Sequence, residues 1–354
     1  CFPDMLNDEA REWFGDKYRI LIDKGIDGFW NDMNEPAIFY SEKHLKEVFE
    51  KLEDYKKMNL DVNTFFEMQG MVGSICNNPE DYASFYHNYK GRHYRHDQVH
   101  NLFGYYMTRS ASEAFERYVP EKRILLFSRA SYIGMHRFGG IWQGDNASWW
   151  SHLKMNVKMM PSLNMCGFLY TGADVGGFGA DATEDLVLRW LEFAVFTPLL
   201  RNHSARGTRR QEVYRFSHVE KFADVIGVRY QILPYIYSEY MKAALQNTMM
   251  FNPLSFLYGE DALAGQVEDQ LFIGENVMVA PVCEQNVSGR VVYFPEHMKE
   301  LIFKNGIIEE GKVYEKGFSY VEMQMGTVHI FLREGYLFPV AKGGKCVEDV
   351  DFED

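Results

Sequence analysis

Two short stretches of this chain place a carboxylate, an amide and a tryptophan close together. The first lies at 25–39 (GIDGFWNDMNEPAIF), where an apolar run ends in four polar side chains: Asn31, Asp32, Asn34 and Glu35. The second lies at 139–146 (GGIWQGDN) and carries Asp145. Strands of α/β barrels present reactive groups at their C-terminal ends in this way. Because such a cluster costs stability unless it is used, we interpret the first stretch as a site of chemistry.

The acids Asp32 and Asp145 suit a reaction that needs two carboxyl groups. Cleavage of a glycosidic bond is one, since one carboxylate attacks or stabilises the anomeric carbon and the other acid protonates the leaving oxygen. The residue types do not say which acid does which. A rival interpretation is binding of Mg²⁺ for enolate chemistry. That chemistry also needs a lysine or histidine base, and no lysine lies in these strand-end motifs.

Three further predicted strand ends carry groups that could bind sugar hydroxyls or tune the carboxyl groups. They are RILLFS (123–128), which ends before Arg129, GFLYTGADVGGF (167–178), which contains Asp174, and TPLLRNHS (197–204), which contains His203. The repetition of strand, polar end and helix predicts a (β/α)8 barrel. About five strands are present in the sequence, too few to close a barrel. We therefore expect the earlier strands to come from elsewhere.

Helical periodicity and capping signals predict the elements between these strand ends. A first helix starts near Asp8 and ends at Gly25, and the strand from Ile26 to Trp30 is predicted to be buried on both faces. Further helices are predicted at 42–57, 100–118, 151–160, 183–196 and 219–244.

The chain is predicted to contain two domains. Residues 1–250 form the later part of the barrel, with an insertion at about 37–98. Inside it, 68–82 is rich in Gly, Asn and Pro, which indicates a long loop on the active-site side or a small inserted subdomain. Residues 251–354 carry short β-like runs between turn signals, which predicts an antiparallel β-sandwich.

The composition is that of an acidic globular protein. Its formal net charge of −13 argues against binding to nucleic acid. No apolar run reaches the roughly 18 residues of a membrane helix. Five cysteines without a CxxC pair indicate reduced thiols and a cytoplasmic setting. Although His93, His96 and His100 are closely spaced, they lack cysteine or carboxylate partners at ligand spacing, so we predict neither a metal site nor a cofactor.

These motifs resemble those of glycoside hydrolase family 31, the retaining α-glucosidases. GFWNDMNEP (28–36) is similar to the nucleophile motif of the family and GGIWQGDN (139–146) to its acid/base motif. Further similar blocks follow in the family's order: HNLFGYYM, SRASYIG, GADVGGF, RNHS, QLFIGENVMVAPV and HIFLREGYLFPV. The resemblance covers nearly the whole chain. It departs from the usual EPW at Glu212-Val213-Tyr214 and from a Trp-x-Asp turn in the β-domain, both outside the catalytic groups.

The resemblance implies that Asp32 is the nucleophile and Asp145 the acid/base of an exo-acting enzyme. Its expected substrate is the terminal, non-reducing α-linked glucose of oligosaccharides of the maltose or isomaltose type. Double displacement predicts carboxyl groups roughly 5–5.5 Å apart. The residues implied to bind or support the glucose are Trp30, Met33, Glu35, Arg129, Trp142, Asp174, Phe178 and His203.

The resemblance also implies partners. The N-terminal β-sandwich and first barrel strands of the family are absent from this sequence, so we expect the chain to be the C-terminal part of a longer or nicked enzyme. Two activities of the same family remain alternatives, α-transglucosylase and α-xylosidase, as does a non-catalytic sugar-binding barrel. The sequence does not decide whether the protein forms a homo-oligomer.

Overall fold

Parallel strands alternate with helices, apart from one antiparallel hairpin at 86–95, before an antiparallel region begins near residue 251, in a computed structural model that describes residues 2–344 and 346–350. The chain divides after Gly139 into two units. The helices of the first unit are α1 (Asp8–Asp16), α2 (Arg19–Ile22), α3 (Glu42–Tyr55), α4 (Val62–Gly73), α5 (Pro79–Tyr82), α6 (His96–Val99) and α7 (Leu102–Tyr118). Its strands are β1 (Gly28–Asn31), β2 (Tyr86–Tyr89), β3 (Arg92–Arg95) and β4 (Leu125–Ser128).

The strand β1 pairs in parallel with β4 and is shorter than predicted. It begins at Gly28, and Ile26 is 43% exposed, so the expectation of a strand from Ile26 buried on both faces is wrong. Phe29 is buried in a core formed with Ile22 and Leu126, among others. The predicted first helix is also divided into α1 and α2, separated by a turn at 17–18.

The insertion predicted at about 37–98 is folded, and of the two interpretations of 68–82, a long loop or a small inserted subdomain, the helices exclude the long loop. The helix α4 continues to Gly73, and α5 follows after a short turn. Asp61 and Thr64 form a capping box that starts α4. Gly70 and Gly73 face open space, so neither is required for packing. These glycines therefore do not mark a loop.

The barrel part of the second unit contains α8 (Trp150–Met165), α9 (Glu184–Ala194) and α10 (Val219–Gln246), with β5 (Gly140–Trp142), β6 (Thr171–Gly172), β7 (Asp174–Val175) and β8 (Arg201–Asn202). The strand β5 pairs in parallel with β6, and β7 with β8. The helix predicted to end at Met160 continues through Pro161 to Met165. Strands and helices alternate as expected for an α/β barrel.

The rest of the second unit is an antiparallel β-sandwich, as predicted. Its elements are β9 (Phe251–Pro253), α11 (Leu254–Leu257), β10 (Leu271–Ile273), β11 (Val277–Val279), β12 (Gly289–Phe294), β13 (Met298–Lys304), β14 (Ile307–Tyr314), β15 (Gly317–Glu322) and β16 (Val328–Arg333). Six strands form one sheet in the order β14-β13-β16-β11-β10-β9, and β12 pairs with β15. Phe272, Val292, Phe294 and Phe331 share a core between these sheets. The other face of the larger sheet packs on α9 and α10.

Within the described ranges, every helix is too short or too polar to span a bilayer. The same residues contain no group of three or more His, Cys, Asp or Glu side chains arranged to hold a metal ion.

Candidate active site

The ends of β1 and β4 place Asp32 beside Arg129. Parallel pairing brings both ends to one edge, and the amide of Arg129 donates to the carbonyl oxygen of Asn31 over 2.9 Å. Arg129 Nη1 lies 3.6 Å from Asp32 Oδ1, and the Asp32 side chain is 35% exposed. Its carboxylate is therefore accessible to an incoming molecule. We name this group, which also contains Trp30, Met33 and Glu35, the Asp32 cluster.

Buried polar groups fix the backbone that carries the Asp32 cluster. Asn34 is 1% exposed; its Nδ2 donates to Ser128 Oγ over 2.8 Å, and its Oδ1 accepts from the amide of Ala130 over 2.9 Å. Ser128 Oγ in turn donates to the carbonyl oxygen of Ala130 over 2.8 Å. A Cβ on Gly104 of α7 would lie 2.7 Å from that carbonyl oxygen, so only glycine allows this packing. The segments after β1 and β4 are thus locked to each other.

Met33 adopts the left-handed conformation with φ of 57°. This region costs a non-glycine residue roughly 1–2 kcal/mol. Its amide donates to Asp32 Oδ1 over 2.8 Å, and its carbonyl oxygen accepts from the amide of Ala37 over 3.1 Å. Strained residues of this kind cluster at functional sites. The turn at Met33 orients the Asp32 carboxylate.

Glu35 and Trp30 complete the Asp32 cluster. Glu35 Oε1 accepts a hydrogen bond from Arg129 Nε, which holds the guanidinium between two carboxyl groups. Glu35 Oε2 is buried and has no hydrogen-bond partner among the described residues. The Trp30 ring stacks on Phe127, with centroids 6.0 Å apart and planes 8° from parallel.

A hydrogen-bonded chain of histidines is built into the same unit. It runs from Asp4 Oδ1 to His87 Nδ1 (2.8 Å), from His87 Nε2 to His96 Nδ1 (2.9 Å), and from His96 Nε2 to His100 Nδ1 (3.0 Å). Burial, together with the neighbouring histidines, lowers the pKa of His96 to about 3. His93 lies outside this histidine chain, on β3.

Tyr82 connects the histidine chain to the segment after Glu35. Its ring stacks on His96 with centroids 5.4 Å apart. Its hydroxyl donates to the carbonyl oxygen of Pro36 over 3.3 Å and to Asn77 Oδ1 over 2.8 Å. The histidine chain therefore supports the polypeptide that follows the Asp32 cluster.

In the second unit, Asp174 and Arg201 form an ion pair at adjacent positions of β7 and β8. Arg201 Nε and Nη2 lie 2.9 and 2.8 Å from Asp174 Oδ1. Asp174 has no exposed surface, and its Oδ2 lacks a hydrogen-bond partner in the part of the chain that the structure describes. Burial raises the pKa of Asp174, and the charge of Arg201 opposes that shift. The guanidinium also covers the ring of Trp142, which is 2% exposed, at 5.4 Å.

Asp145 is exposed, and the neighbouring Asn146 is buried. Asn146 Nδ2 donates to Asn156 Oδ1 over 2.9 Å and to the carbonyl oxygen of Asp174 over 3.0 Å. Its Oδ1 accepts from the amide of Phe178 over 3.0 Å. The segment that carries Asp145 is thus anchored to the segment after β7. We name Trp142, Asp145, Asp174, Phe178, Arg201 and His203 the Asp174 cluster.

The side chain of Gln211 connects the segments at the ends of β7 and β8, which lead to Phe178 and His203 of the Asp174 cluster. It is 2% exposed, and its Nε2 lies 3.1–3.2 Å from four oxygens. They belong to Val175, Gly177, Asn202 and His203. The rings of Phe178 and His203 stack with centroids 5.2 Å apart. A cavity of about 370 Å³ beside His203 is lined by Asn202, Gln211, Tyr214 and Ile226, among others.

The residues predicted from the sequence fall into these two clusters, and each cluster contains one of the two candidate catalytic acids. Gln211 and Arg201 were not predicted as site residues, and no supporting role was predicted for the buried amides Asn34 and Asn146, which lie in the predicted motifs. Asn34 and Asn146 lie within two residues of an acid in its motif, a position that could have identified them as supports. Gln211 lies in the charged segment RGTRRQEV, where nothing distinguishes it from a solvated side chain.

Two family descriptions match the chain. Residues 1–239 match "Glycosyl hydrolases family 31 TIM-barrel domain", and residues 247–338 match "Glycosyl hydrolase family 31 C-terminal domain". The predicted fold class, a barrel part followed by an antiparallel β-sandwich, is confirmed by these matches and by the architecture.

Several curated proteins are similar to nearly all of this chain. Alpha-glucosidase 2 of Bacillus thermoamyloliquefaciens is 30% identical over 95% of the chain and 38% of its own length. The alpha-glucosidase of Saccharolobus solfataricus is 28% identical over 96% of the chain and 46% of its own length. A probable glucan 1,3-alpha-glucosidase of Oryza sativa is 28% identical over 96% of the chain and 33% of its own length. The chain therefore spans less than half the length of these relatives.

Solved structures share the fold. The GH31 dextranase of Flavobacterium johnsoniae, complexed with glucose, superposes with a TM-score of 0.76 at 24% identity, over 97% of this chain and 38% of that one. The glucosidase II alpha subunit superposes with a TM-score of 0.74 at 24% identity, over 96% of this chain and 33% of that one.

Proposed function

Because this chain belongs to glycosyl hydrolase family 31, we propose that the protein it forms is a retaining, exo-acting α-glucosidase. It would release terminal, non-reducing α-linked glucose from oligosaccharides by double displacement. The single observation that carries the proposal is the Asp32 cluster: an accessible carboxylate at a strand end, 3.6 Å from a guanidinium and oriented by a strained turn. The boundary near residue 250 between barrel part and sandwich is likewise our proposal.

In this mechanism Asp32 attacks the anomeric carbon while Asp145 protonates the leaving glycosidic oxygen. The bond to the leaving group breaks, and a β-glucosyl ester forms on Asp32. Asp145 then removes a proton from water, the water oxygen attacks the anomeric carbon, and Asp32 departs as a carboxylate. The exposure of both side chains supports these roles.

The remaining residues of the clusters divide into contacts and supports. Arg129, Met33, Phe178 and His203 are proposed to contact the glucose ring. Asp174 and Trp142 are buried, so we assign them positioning roles through Arg201, which contacts both. Trp30 and Glu35 are assigned positioning roles in the Asp32 cluster, through the contact of Trp30 with Phe127 and of Glu35 with Arg129.

Trapping of the covalent intermediate tests the proposal. The full-length protein would be incubated with 5-fluoro-α-glucosyl fluoride, digested, and mapped by mass spectrometry. We expect one glucosyl adduct, on the peptide that contains Asp32. NMR of the first product formed from an α-glucoside should show the α-anomer.

Three results would contradict parts of this assignment. Adduct formation on another peptide would assign the nucleophile to a residue of that peptide instead of Asp32. A β-anomeric first product would exclude retention. An intact protein that neither reacts nor hydrolyses α-glucosides would favour a sugar-binding barrel. Product analysis with maltose, isomaltose and α-xylosides separates the hydrolase from its family alternatives.

A further inference from the structure

A polar groove of about 580 Å³ lies on the β-sandwich. This volume is within the roughly 300–1,000 Å³ typical of small-molecule sites. Its fixed wall is an ion-pair network in which Asp269 accepts from Arg290 Nη2 over 2.6 Å and from Lys154 Nζ over 3.0 Å. Arg290 Nη1 also donates to the carbonyl oxygen of Pro281 over 2.7 Å. The groups that form this wall are therefore held in place before any ligand arrives.

Further lining residues come from the turn between β11 and β12. Glu284, Asn286 and Ser288 line the groove with carboxylate, amide and hydroxyl groups. Asn286 adopts the left-handed conformation (φ 59°), which asparagine tolerates better than most residues. Ser288 Oγ lies 3.3 Å from the hydroxyl of Tyr320, which fixes the outer end of that phenol.

An aromatic face on β12 and β15 continues from this groove. Tyr320 and Val291 line the groove and lie opposite each other in the strand register, and they are 56% and 55% exposed. Phe318, two positions along β15 on the same face, is 61% exposed, and its ring packs on Tyr293 with centroids 4.9 Å apart. The two residues that carry these exposed rings thus follow one another on one face, with a backbone rise of about 6.7 Å between them.

The combination restricts what can bind. A purely apolar partner would leave the charged and amide groups of the groove without hydrogen bonds, which is costly. A polyanion would face Glu284 and an overall charge of −13, because the cations Arg290 and Lys154 of the groove are already paired with Asp269. A sugar chain satisfies both halves, because its ring faces are apolar, its edges carry hydroxyl groups, and it has no net charge. The exposed aromatic rings are suited to the apolar ring faces of the sugar, and the polar groups of the groove are suited to its hydroxyl groups.

We propose that this groove and the adjoining rings of Tyr320 and Phe318 form a second, non-catalytic binding site for an α-glucan chain. The inference rests on the proposed function for the identity of the sugar. The site would retain polymeric or long oligomeric substrate on the enzyme while chain ends are processed elsewhere.

The test compares glucan retention by full-length variants. Asp32→Asn would be the background, so that the polymer is not degraded, and a saturating iminosugar inhibitor would occupy the catalytic pocket. Migration would be measured in native gels that contain soluble starch or dextran. Tyr320→Ala should weaken the apparent Kd for one of these glucans about tenfold, and Phe318→Ala several-fold. The matched control is Phe256→Ala, which removes a 55% exposed ring from α11 of the same unit.

The outcomes separate this site from the catalytic proposal. The same Tyr320→Ala change in the active enzyme should leave kcat/KM for a nitrophenyl α-glucoside unchanged. Equal retention of Tyr320→Ala and its parent would overturn the inference, as would a parent that the glucan gels do not retard. A lowered Tm with unchanged retention would show that Tyr320 contributes to stability and not to glucan binding, which also overturns it. If the Asp32→Asn parent retained glucan while the unsubstituted full-length enzyme cleaved no α-glucoside, only the catalytic proposal would be refuted.

Discussion

The Asp32 and Asp174 clusters use the same residue types in opposite ways. In the Asp32 cluster the carboxylate is accessible, and Arg129 Nη1 lies 3.6 Å from it. In the Asp174 cluster the carboxylate is fully enclosed, and two nitrogens of Arg201 lie within 2.9 Å of one oxygen. An acid that must react has to be reachable and loosely held. An acid that positions another residue is buried and tightly paired, so it contributes to stability as well as to geometry.

The largest difference between the two clusters is expected when the carboxylates of Asp32 and Asp174 are each replaced by an amide. Asp32→Asn should lower kcat by about 10⁴-fold or more, because it removes the proposed nucleophile. Its Tm should stay near that of the parent, since the side chain is partly exposed and makes one long ion pair. Steady-state kinetics and calorimetry measure both. Asp27→Asn, which removes an exposed carboxylate paired with Lys122, is the matched control. Full activity in Asp32→Asn would contradict the assignment of Asp32 as the nucleophile.

Asp174→Asn should affect both properties. It leaves the largely enclosed Arg201 without its counter-charge, a change that typically costs about 3–5 kcal/mol. Loss of the guanidinium position should also reduce kcat/KM by about 10²-fold. Urea unfolding and kinetics measure the two effects in the same samples. If Asp174→Asn lost activity without losing stability, Asp174 would have to act directly on the substrate, and the contrast between the clusters would fail.

The sequence predicted the polar strand ends but not their supports. Asp32, Arg129, Asp145 and Asp174 could be selected because each follows an apolar run, a pattern that depends on local order alone. The stacking of Arg201 on Trp142 depends on how β5, β6, β7 and β8 pack, and no spacing in the chain encodes it. The composition of 68–82 likewise left a long loop and a small inserted subdomain open, whereas in the structure α4 starts at the Asp61 cap and continues through Gly70 to Gly73.

Two glycine turns near the Asp174 cluster should differ in their tolerance of a Cβ atom. Gly177 has φ of 90°, and a Cβ there would lie 2.4 Å from the amide nitrogen of Ser148. Gly177→Ala should therefore destabilise the protein by about 2–3 kcal/mol. Gly207→Ala is a control with similar φ (96°) and no atom within 4 Å of the added Cβ, so it isolates the backbone cost. Equal urea midpoints for the two variants would disprove steric closure at Gly177.

The Asp32 cluster has one support that can titrate, the histidine chain, besides the amide of Asn34, whereas the Asp174 cluster is supported by the amides of Asn146 and Gln211. Burial lowers the pKa of His96 to about 3, and His87 and His100 act in the same direction while Asp97 opposes them. The unfolded chain takes up a proton near the ordinary value of 6.5 and the folded chain does not. Stability from His96 is thus complete above about pH 6.5 and is lost as pH falls towards 3. Urea midpoints between pH 7 and 4 should decline less in His96→Leu than in the parent, and identical slopes would contradict the proposed titration.

The smallest effect on the free energy of unfolding is expected from substitution of Met33, which has a positive φ like Gly177. Met33→Gly relieves a strain of roughly 1–2 kcal/mol, and it raises the entropy of the unfolded chain by a similar but smaller amount. The net change in unfolding free energy should therefore stay within about 1 kcal/mol.

If Met33 serves only to orient Asp32, kcat should fall as the turn becomes mobile, with KM little changed. If the exposed side chain contacts the glucose, KM should rise with kcat preserved. Met33→Asn, which keeps a residue that tolerates this conformation, separates the two: it should restore kcat in the first case and leave KM raised in the second.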